Sequence, residues 1–210
     1  QMCIRDSSNT DENGYLMPPS DPIQQQLSSA KKWHTDSSYR AVPAMGSLLH
    51  GIEVSRTGGL TCFTNMYKVY DALSPKVRAL VDGKKCRHDF EHLSRISGAR
   101  RPSKDEKASM PAVWQPMVRK HPVTGRNALC IGRHAYKIPG MDDKEANNLL
   151  DSLLEQACQQ PRLYKHSWLP GDLVIWDNRC VLHRACPYDV SEPRVLQATR
   201  ISGDPMSEFA

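Results

Sequence analysis

The sequence predicts a mainly β chain with flanking helices, folded as a double-sheet jelly roll. Three observations carry that reading. Short apolar or alternating runs recur along the chain: Ala44 to Glu53, Leu60 to Thr64, Leu163 to Trp168, Gly171 to Trp176, Val181 to Cys186 and Arg194 to Ile201. Gly, Pro, Asn and Asp separate them, as in Arg56-Thr57-Gly58-Gly59 and Asp177-Asn178-Arg179. Only one segment has the strong apolar period of a long helix. It runs from a cap at Asp142 or Asp143 to about Gln159 and carries Leu149, Leu150, Leu153, Leu154, Ala157 and Cys158 on one face. Pro161 ends it, and it is expected to pack on a sheet without taking part in chemistry.

The remaining elements follow in order. The chain begins at Gln1, and residues 1–7 hold no apolar core of a signal peptide. We read them as a non-native leader, and residues 8–210 as one jelly-roll domain that lacks its N-terminal part. Residues 8–32 are polar and broken by Pro18-Pro19 and Asp21-Pro22, which predicts a loop. Met66 to Leu73 and Pro75 to Val81 read as two short helices, the second with Ser74 as N-cap and Pro75 at its first position. Lys84 to Phe90 reads as a strand. Residues 94–112, rich in Arg, Lys, Ser and Pro, predict a mobile surface loop or a lid. Met117 to Gly132 predicts a hairpin that turns at His121-Pro122-Val123-Thr124-Gly125-Arg126.

Composition sets the outer bounds. A chain of 210 residues, 39% hydrophobic and 24% charged, has the size and balance of a single soluble domain. It has no apolar run long enough for a membrane span. The net charge of +5 is spread out, with the densest basic cluster at Arg95 to Lys107. Basic residues are not interleaved with aromatics, which argues against nucleic acid as the partner. A modest positive balance suits a small anionic substrate equally well. The seven cysteines include no C-x-x-C pair, which favours small buried side chains in a reducing, cytoplasmic setting over disulfides or a zinc knuckle.

The chemistry centres on Trp33-His34-Thr35-Asp36-Ser37-Ser38-Tyr39. In an extended backbone, His34 and Asp36 point the same way, so an imidazole and a carboxylate can reach one metal ion. Two histidines and one carboxylate leave open positions on the metal, as non-haem Fe(II) oxygenases require. The pair alone also fits an ordinary surface turn. His183 lies mid-strand with Val181 and Ala185 on its face, a pattern shared by ligands and by satisfied core histidines. Arg194 follows on the next predicted strand, where a guanidinium among apolar residues calls for an anionic partner.

These motifs, in order, carry a resemblance. Trp-His-Thr-Asp-Ser-Ser-Tyr, Gly-Gly-Leu-Thr, His-Pro-Val-Thr-Gly-Arg and Trp-Asp-Asn-Arg with the later His183 and Arg194 resemble the Fe(II)/2-oxoglutarate dioxygenases of the taurine dioxygenase superfamily. The Ser37-Ser38 ending and the His121-to-Arg126 turn are most similar to its 2,4-dichlorophenoxyacetate dioxygenase-like branch. The resemblance covers nearly all of residues 8–204. It implies the double-stranded β-helix (jelly roll) of that enzyme type, in a family longer at its N-terminus.

The resemblance also implies roles. His34, Asp36 and His183 match the iron ligands, and Arg194 and Thr61 match the pair that holds the distal carboxylate of 2-oxoglutarate. Phe63 and Trp176 correspond to aromatics near the iron, although a plain core role suits either. Many members carry a second arginine where this chain has Ala198. Arg200, one strand period on, either replaces it toward the substrate or is a solvated strand-end charge. No catalytic base is implied.

The implied cofactor is Fe(II), with 2-oxoglutarate and O2 as cosubstrates. The implied reaction releases succinate and CO2 while hydroxylating a small organic anion, an aryloxyalkanoate ahead of a sulfonate or alkyl sulfate. A cupin-like metal-binding protein and an inactive fragment are the other readings. The expected partner is a small molecule, with neither nucleic acid nor membrane involved, and a homo-oligomer stays open.

Overall fold

The computed structural model describes residues 4–97 and 100–208. Two antiparallel sheets face each other across the site. The larger has the order β1 (Ile4–Asp6), β12 (Val195–Ser202), β2 (Ala44–Glu53) and β10 (Leu173–Asp177). The smaller has the order β11 (Val181–Ala185), β3 (Thr61–Asn65) and β9 (Leu163–His166). The predicted jelly-roll arrangement of short strands is thus present. Ile4–Asp6, expected to belong to a leader outside the fold, instead extend the larger sheet by pairing with Gln197 to Thr199.

Register decides which side chains meet between the sheets, because a strand's side chains alternate between faces. In the larger sheet Trp176 pairs with Ser47, and Ser47 with Arg200, giving one inward row of three. The next inward row on β12 and β2 is Ala198 and Leu49. In the smaller sheet His183 pairs with Phe63, and Phe63 with Tyr164, while Ala185, Thr61 and His166 form the adjacent row. The rings agree with this register: Phe63 lies 6.1 Å from both Tyr164 and His183, and 5.4 Å from Trp176 across the gap.

The main apolar core sits behind the smaller sheet, not between the two. Cys62 and Leu182, on its outer face, join a cluster with α2 (Met66–Asp71) and α6 (Asp143–Ala157), to which β2, β10 and β12 contribute no residue. Leu150, Leu153, Leu154 and Ala157 bury the predicted stripe of α6; each leucine is worth roughly 1.5–3 kcal/mol relative to exposure. Asp142 caps α6 in a reciprocal capping box with Glu145. Ser74 caps α3 (Pro75–Val81) as predicted, with Pro75 in its first turn. This division leaves the inter-sheet space free for a site.

Two expectations need correction. Residues 94–112 are not one long loop: α4 (Phe90–Ser97) and α5 (Lys104–Ser109) occupy much of the segment, and residues 98–99 lie outside the described residues. Ser103 starts α5 through a capping box with Glu106, a local signal strong enough to form a helix with no buried face. Residues 8–32 are likewise not all loop, since α1 (Pro22–Leu27) and a 3-10 turn (Ser28–Lys31) lead into the His34 segment. The hairpin is as predicted, with β6 (Val118–Lys120) and β7 (Asn127–Leu129) flanking the turn. No helix among the described residues is long and apolar enough to cross a membrane.

Candidate functional site

His34, Asp36 and His183 converge. His34 and His183 exchange both backbone hydrogen bonds, at 3.0 and 2.9 Å, which ties the loop before β2 to β11 and brings the two rings to 4.3 Å. Asp36 follows on the same side, and Ser37 then takes a left-handed φ of 57° that turns the chain away. His34 Nε2 lies 3.9 Å from Asp36 Oδ1, and His183 Nε2 lies 3.8 Å from Asp36 Oδ2. These separations are longer than the roughly 3.0 Å between neighbouring ligands held about 2.1 Å from one octahedral centre, so the three groups would draw together on a metal.

The donor chemistry fits a divalent cation. His34 Nδ1 donates to the Lys32 carbonyl at 2.6 Å, which leaves the Nε2 lone pair for a metal. Burial pushes the pKa of both imidazoles down, that of His183 to about 3, so they stay neutral as ligands must. Burial alone would raise the Asp36 pKa, but the surrounding positive groups, of which Arg200 is the one that keeps its charge beside neutral imidazoles, hold it well below the usual carboxylate range. Arg200 Nη2 donates to Asp36 Oδ1 at 2.8 Å and Ser47 Oγ to Oδ2 at 2.7 Å.

A cavity of about 140 Å³ runs from this triad to Arg194, lined also by Thr61, Leu49, Trp176 and Ala198. Arg194 is only 7% exposed and meets no carboxylate among the described residues. Its Nη2 donates to the Gly59 carbonyl at 3.2 Å and its guanidinium lies 5.0 Å from the Tyr188 ring centre. Burial pulls its pKa down. Gly59, at a φ of 67°, makes this approach possible, since a Cβ there would lie 3.2 Å from Arg194 Nε. Thr61 Oγ1 accepts from Trp168 Nε1 at 2.9 Å. Phe63 and Trp176 sit against His183, with Trp176 at 4.7 Å.

Beyond the triad the cavity meets a cleft of about 1000 Å³. Arg200 and Ala198 line both spaces, so Arg200 stands at their junction rather than at a solvated strand end. Its hydrogen bond to Asp36 was not expected from the sequence. Neither Ser47 nor Asn178 was singled out there; the only signal for them was the Trp-Asp-Asn-Arg motif, which contains Asn178. A second cluster, His121, Asp177 and Cys180, also brings metal-type donors together. There His121 Nδ1 accepts from the Val123 and Thr124 amides, so Nε2 carries the hydrogen that it donates to Asp177 at 3.0 Å. Arg179 binds the same carboxylate, and the cluster is a braced turn.

Comparison with known proteins agrees with this geometry. Residues 5–200 match the model of the taurine catabolism dioxygenase TauD, TfdA family. The chain belongs to that family. It is 40% identical over 211 residues to an (S)-phenoxypropionate/alpha-ketoglutarate-dioxygenase of Sphingobium herbicidovorans, covering 97% of this chain and 74% of the relative. A protein of the same name from Delftia acidovorans is 42% identical over 185 residues, covering 85% of this chain and 63% of the relative. The alpha-ketoglutarate-dependent 2,4-dichlorophenoxyacetate dioxygenase of Cupriavidus pinatubonensis is 40% identical over 165 residues, covering 79% and 58%. The chain thus spans about three-fifths to three-quarters of these relatives. The crystal structure of AAD-2 in complex with Mn(II) and N-oxalylglycine superposes with a TM-score of 0.90 at 36% identity, covering 95% of this chain and 72% of that one. Family membership makes the chain a metal-binding oxidoreductase of the alpha-ketoglutarate (2-oxoglutarate) dioxygenase class.

Proposed function

We propose that this chain is the catalytic part of an Fe(II)- and 2-oxoglutarate-dependent dioxygenase that hydroxylates an aryloxyalkanoate-like anion, releasing succinate and CO2. The observation that carries this reading is one cavity with a His-Asp-His triad at one end and, at the other, a buried arginine that meets no carboxylate among the described residues. A dicarboxylate with an oxo group beside one carboxylate has a chelating group for one end of that cavity and an anion for the other. Its oxo acid end would face the triad, and its distal carboxylate would meet Arg194 and Thr61. N-oxalylglycine, named with the AAD-2 structure, carries the same two carboxylates and oxo group with an N–H in place of one methylene.

In this mechanism His34, Asp36 and His183 hold Fe(II), for which two imidazoles and one carboxylate are the fitting donors. When bound, the metal supplies the activation of O2 that couples decarboxylation of 2-oxoglutarate to hydroxylation. The protein's own residues position and exclude. Trp176 lines the cavity beside His183, and Phe63 packs against both rings without lining it, which keeps water from that side. Arg194 sets the cosubstrate's reach by fixing its far end. Arg200 fronts the cleft from which substrate arrives and is the candidate partner for its carboxylate, in place of the arginine absent at Ala198. No side chain is needed as a general base.

The aryloxyalkanoate reading is favoured over a sulfonate or sulfate ester. Relatives named for phenoxypropionate and 2,4-dichlorophenoxyacetate are 40–42% identical. One named for a sulfate ester is 26% identical. The deciding experiment measures succinate formation with a panel of aryloxyalkanoates, their methyl esters, and alkyl sulfonates. Turnover of the free acids is expected. Preference for esters or sulfonates would overturn the substrate class, and no 2-oxoglutarate consumption with any of them would overturn the activity.

A further inference from the structure

Asp36 is held by more than Arg200. From the Trp176 indole a chain of three hydrogen bonds, the last two buried, reaches its other oxygen. Trp176 Nε1 donates to Asn178 Oδ1 at 3.0 Å, Asn178 Nδ2 donates to Ser47 Oγ at 2.8 Å, and Ser47 Oγ donates to Asp36 Oδ2 at 2.7 Å. The direction of every bond follows from the first. An indole nitrogen can only donate, so the amide must present its oxygen to Trp176 and its NH2 group to Ser47. The Ser47 hydroxyl then accepts from Asn178, and its single hydrogen is left for Asp36. The carboxylate oxygen at the end therefore receives a donor and has no use for a proton of its own.

The fold builds this chain on purpose-shaped ground. Ser47 sits on the central strand of the larger sheet, in register with Trp176 on one side and Arg200 on the other. It is 2% exposed, so water does not compete for its hydroxyl. The same Trp176 ring packs 4.7 Å from His183, whose Nδ1 is buried without a hydrogen-bond partner among the described residues. Trp176 thus touches one member of the triad with its ring and reaches another through its N–H.

We infer that Ser47 and Asn178 are positioning residues for the metal site: their polarity-fixed chain from Trp176 sets the rotation of Asp36 and keeps Oδ2 turned toward Ser47. This rests on the reading that the triad holds a divalent cation, and deepens it. Partners that orient a ligand typically change metal affinity 10- to 100-fold when removed. The decisive change is isosteric. In Asn178→Asp the new carboxylate cannot donate to Ser47, so it takes the Ser47 hydrogen itself and draws it away from Asp36.

The test is Mn(II) affinity by titration calorimetry on the full chain, beside the thermal midpoint of the metal-free protein. Ser47→Ala and Asn178→Asp are expected to raise the Mn(II) Kd about 10-fold or more. Ser47→Thr, which keeps the hydroxyl, is expected to stay within about threefold, and its isostere Ser47→Val to fall with Ser47→Ala; this pair decides the matter if Ser47→Ala does not fold. A merely structural role would lower the thermal midpoint and leave the Kd of the folded fraction unchanged, and that result overturns the inference. Asp36→Ala is run alongside. If it too binds Mn(II) normally, the triad reading itself fails; if it loses binding while Ser47→Val and Asn178→Asp keep it, only the positioning role is overturned.

Discussion

The two ends of the β12 segment carry the same side chain in opposite electrostatic situations. Arg194 and Arg200 project from one face toward one cavity. Arg200 is already engaged, with its Nη2 2.8 Å from Asp36 Oδ1, and its side chain is 32% exposed to the cleft. Arg194 is more deeply buried, yet its polar contacts are a carbonyl oxygen and the face of Tyr188. A buried guanidinium without an anion is expensive to maintain. The difference teaches which end is built for what. The triad end has its carboxylate bonded from two sides, and in the proposed reading it serves a cation. The Arg194 end carries a positive charge, and in the same reading it serves an anion.

The largest expected effect tests the triad end. Asp36→Ala leaves two neutral imidazoles and removes the acceptor of both Arg200 and Ser47. Mn(II) binding measured by calorimetry should weaken by about 100-fold or more, with turnover lost in parallel, since removing a ligand exceeds the 10- to 100-fold effect of its supporting partners. Normal affinity in a folded variant would show that the convergence of these side chains does not serve a metal.

The Arg194 end comes next. Arg194→Lys retains the charge and loses the planar fork that fits a carboxylate. A hydrogen bond to a charged group contributes about 1.5–3 kcal/mol, so the 2-oxoglutarate Kd should rise about 10-fold or more. Mn(II) affinity should hardly move, because Arg194 touches none of the three ligands. Equal loss of both affinities would break the division between the ends.

Arg200 gives a smaller and more selective effect. Because Arg200 also bonds Asp36, the assay is run at saturating metal; there Arg200→Ala should raise KM several-fold for a carboxylate substrate and leave KM for its methyl ester unchanged, while 2-oxoglutarate decarboxylation without substrate persists. If the acid and the ester respond alike, Arg200 serves Asp36 alone, and the space beside Ala198 accepts substrate by its apolar walls.

What was legible in the sequence follows the same physical line. The period of two put His34 and Asp36 on one side and a well-marked strand placed His183, but only the family resemblance joined the three into a ligand set. Arg194 could be read because a lone guanidinium in an apolar run demands a partner. Ser47 could not, since its role depends on register with Trp176 and Arg200, far away in sequence. The α5 helix was missed for a different reason. It buries no residue, so no apolar stripe announced it, and only the Ser103–Glu106 box did. Likewise α1, with Gln24 and Gln25 at its centre, carries no clear period.

A third buried group sharpens the contrast between the arginines, because it answers burial by staying neutral. His88 is 1% exposed, its Nδ1 has no hydrogen-bond partner among the described residues, and its Nε2 lies 3.3 Å from Cys86 Sγ. Burial first, and the charge of Arg119 second, push its pKa down to about 3. Between that value and the ordinary 6.5 the unfolded chain binds a proton that the folded chain refuses. Stability is therefore flat above about pH 6.5 and falls as pH drops toward 3, by up to about 1.4 kcal/mol per unit for this one group. His88→Leu removes an unsatisfied polar atom together with that proton linkage. Denaturant unfolding of the metal-free protein at pH 7 and pH 5 should show the stability difference shrink by about 2 kcal/mol, with the other buried histidines keeping the same sign. An unchanged difference would mean that His88 is already protonated in the folded state, and that Arg119 does not oppose it.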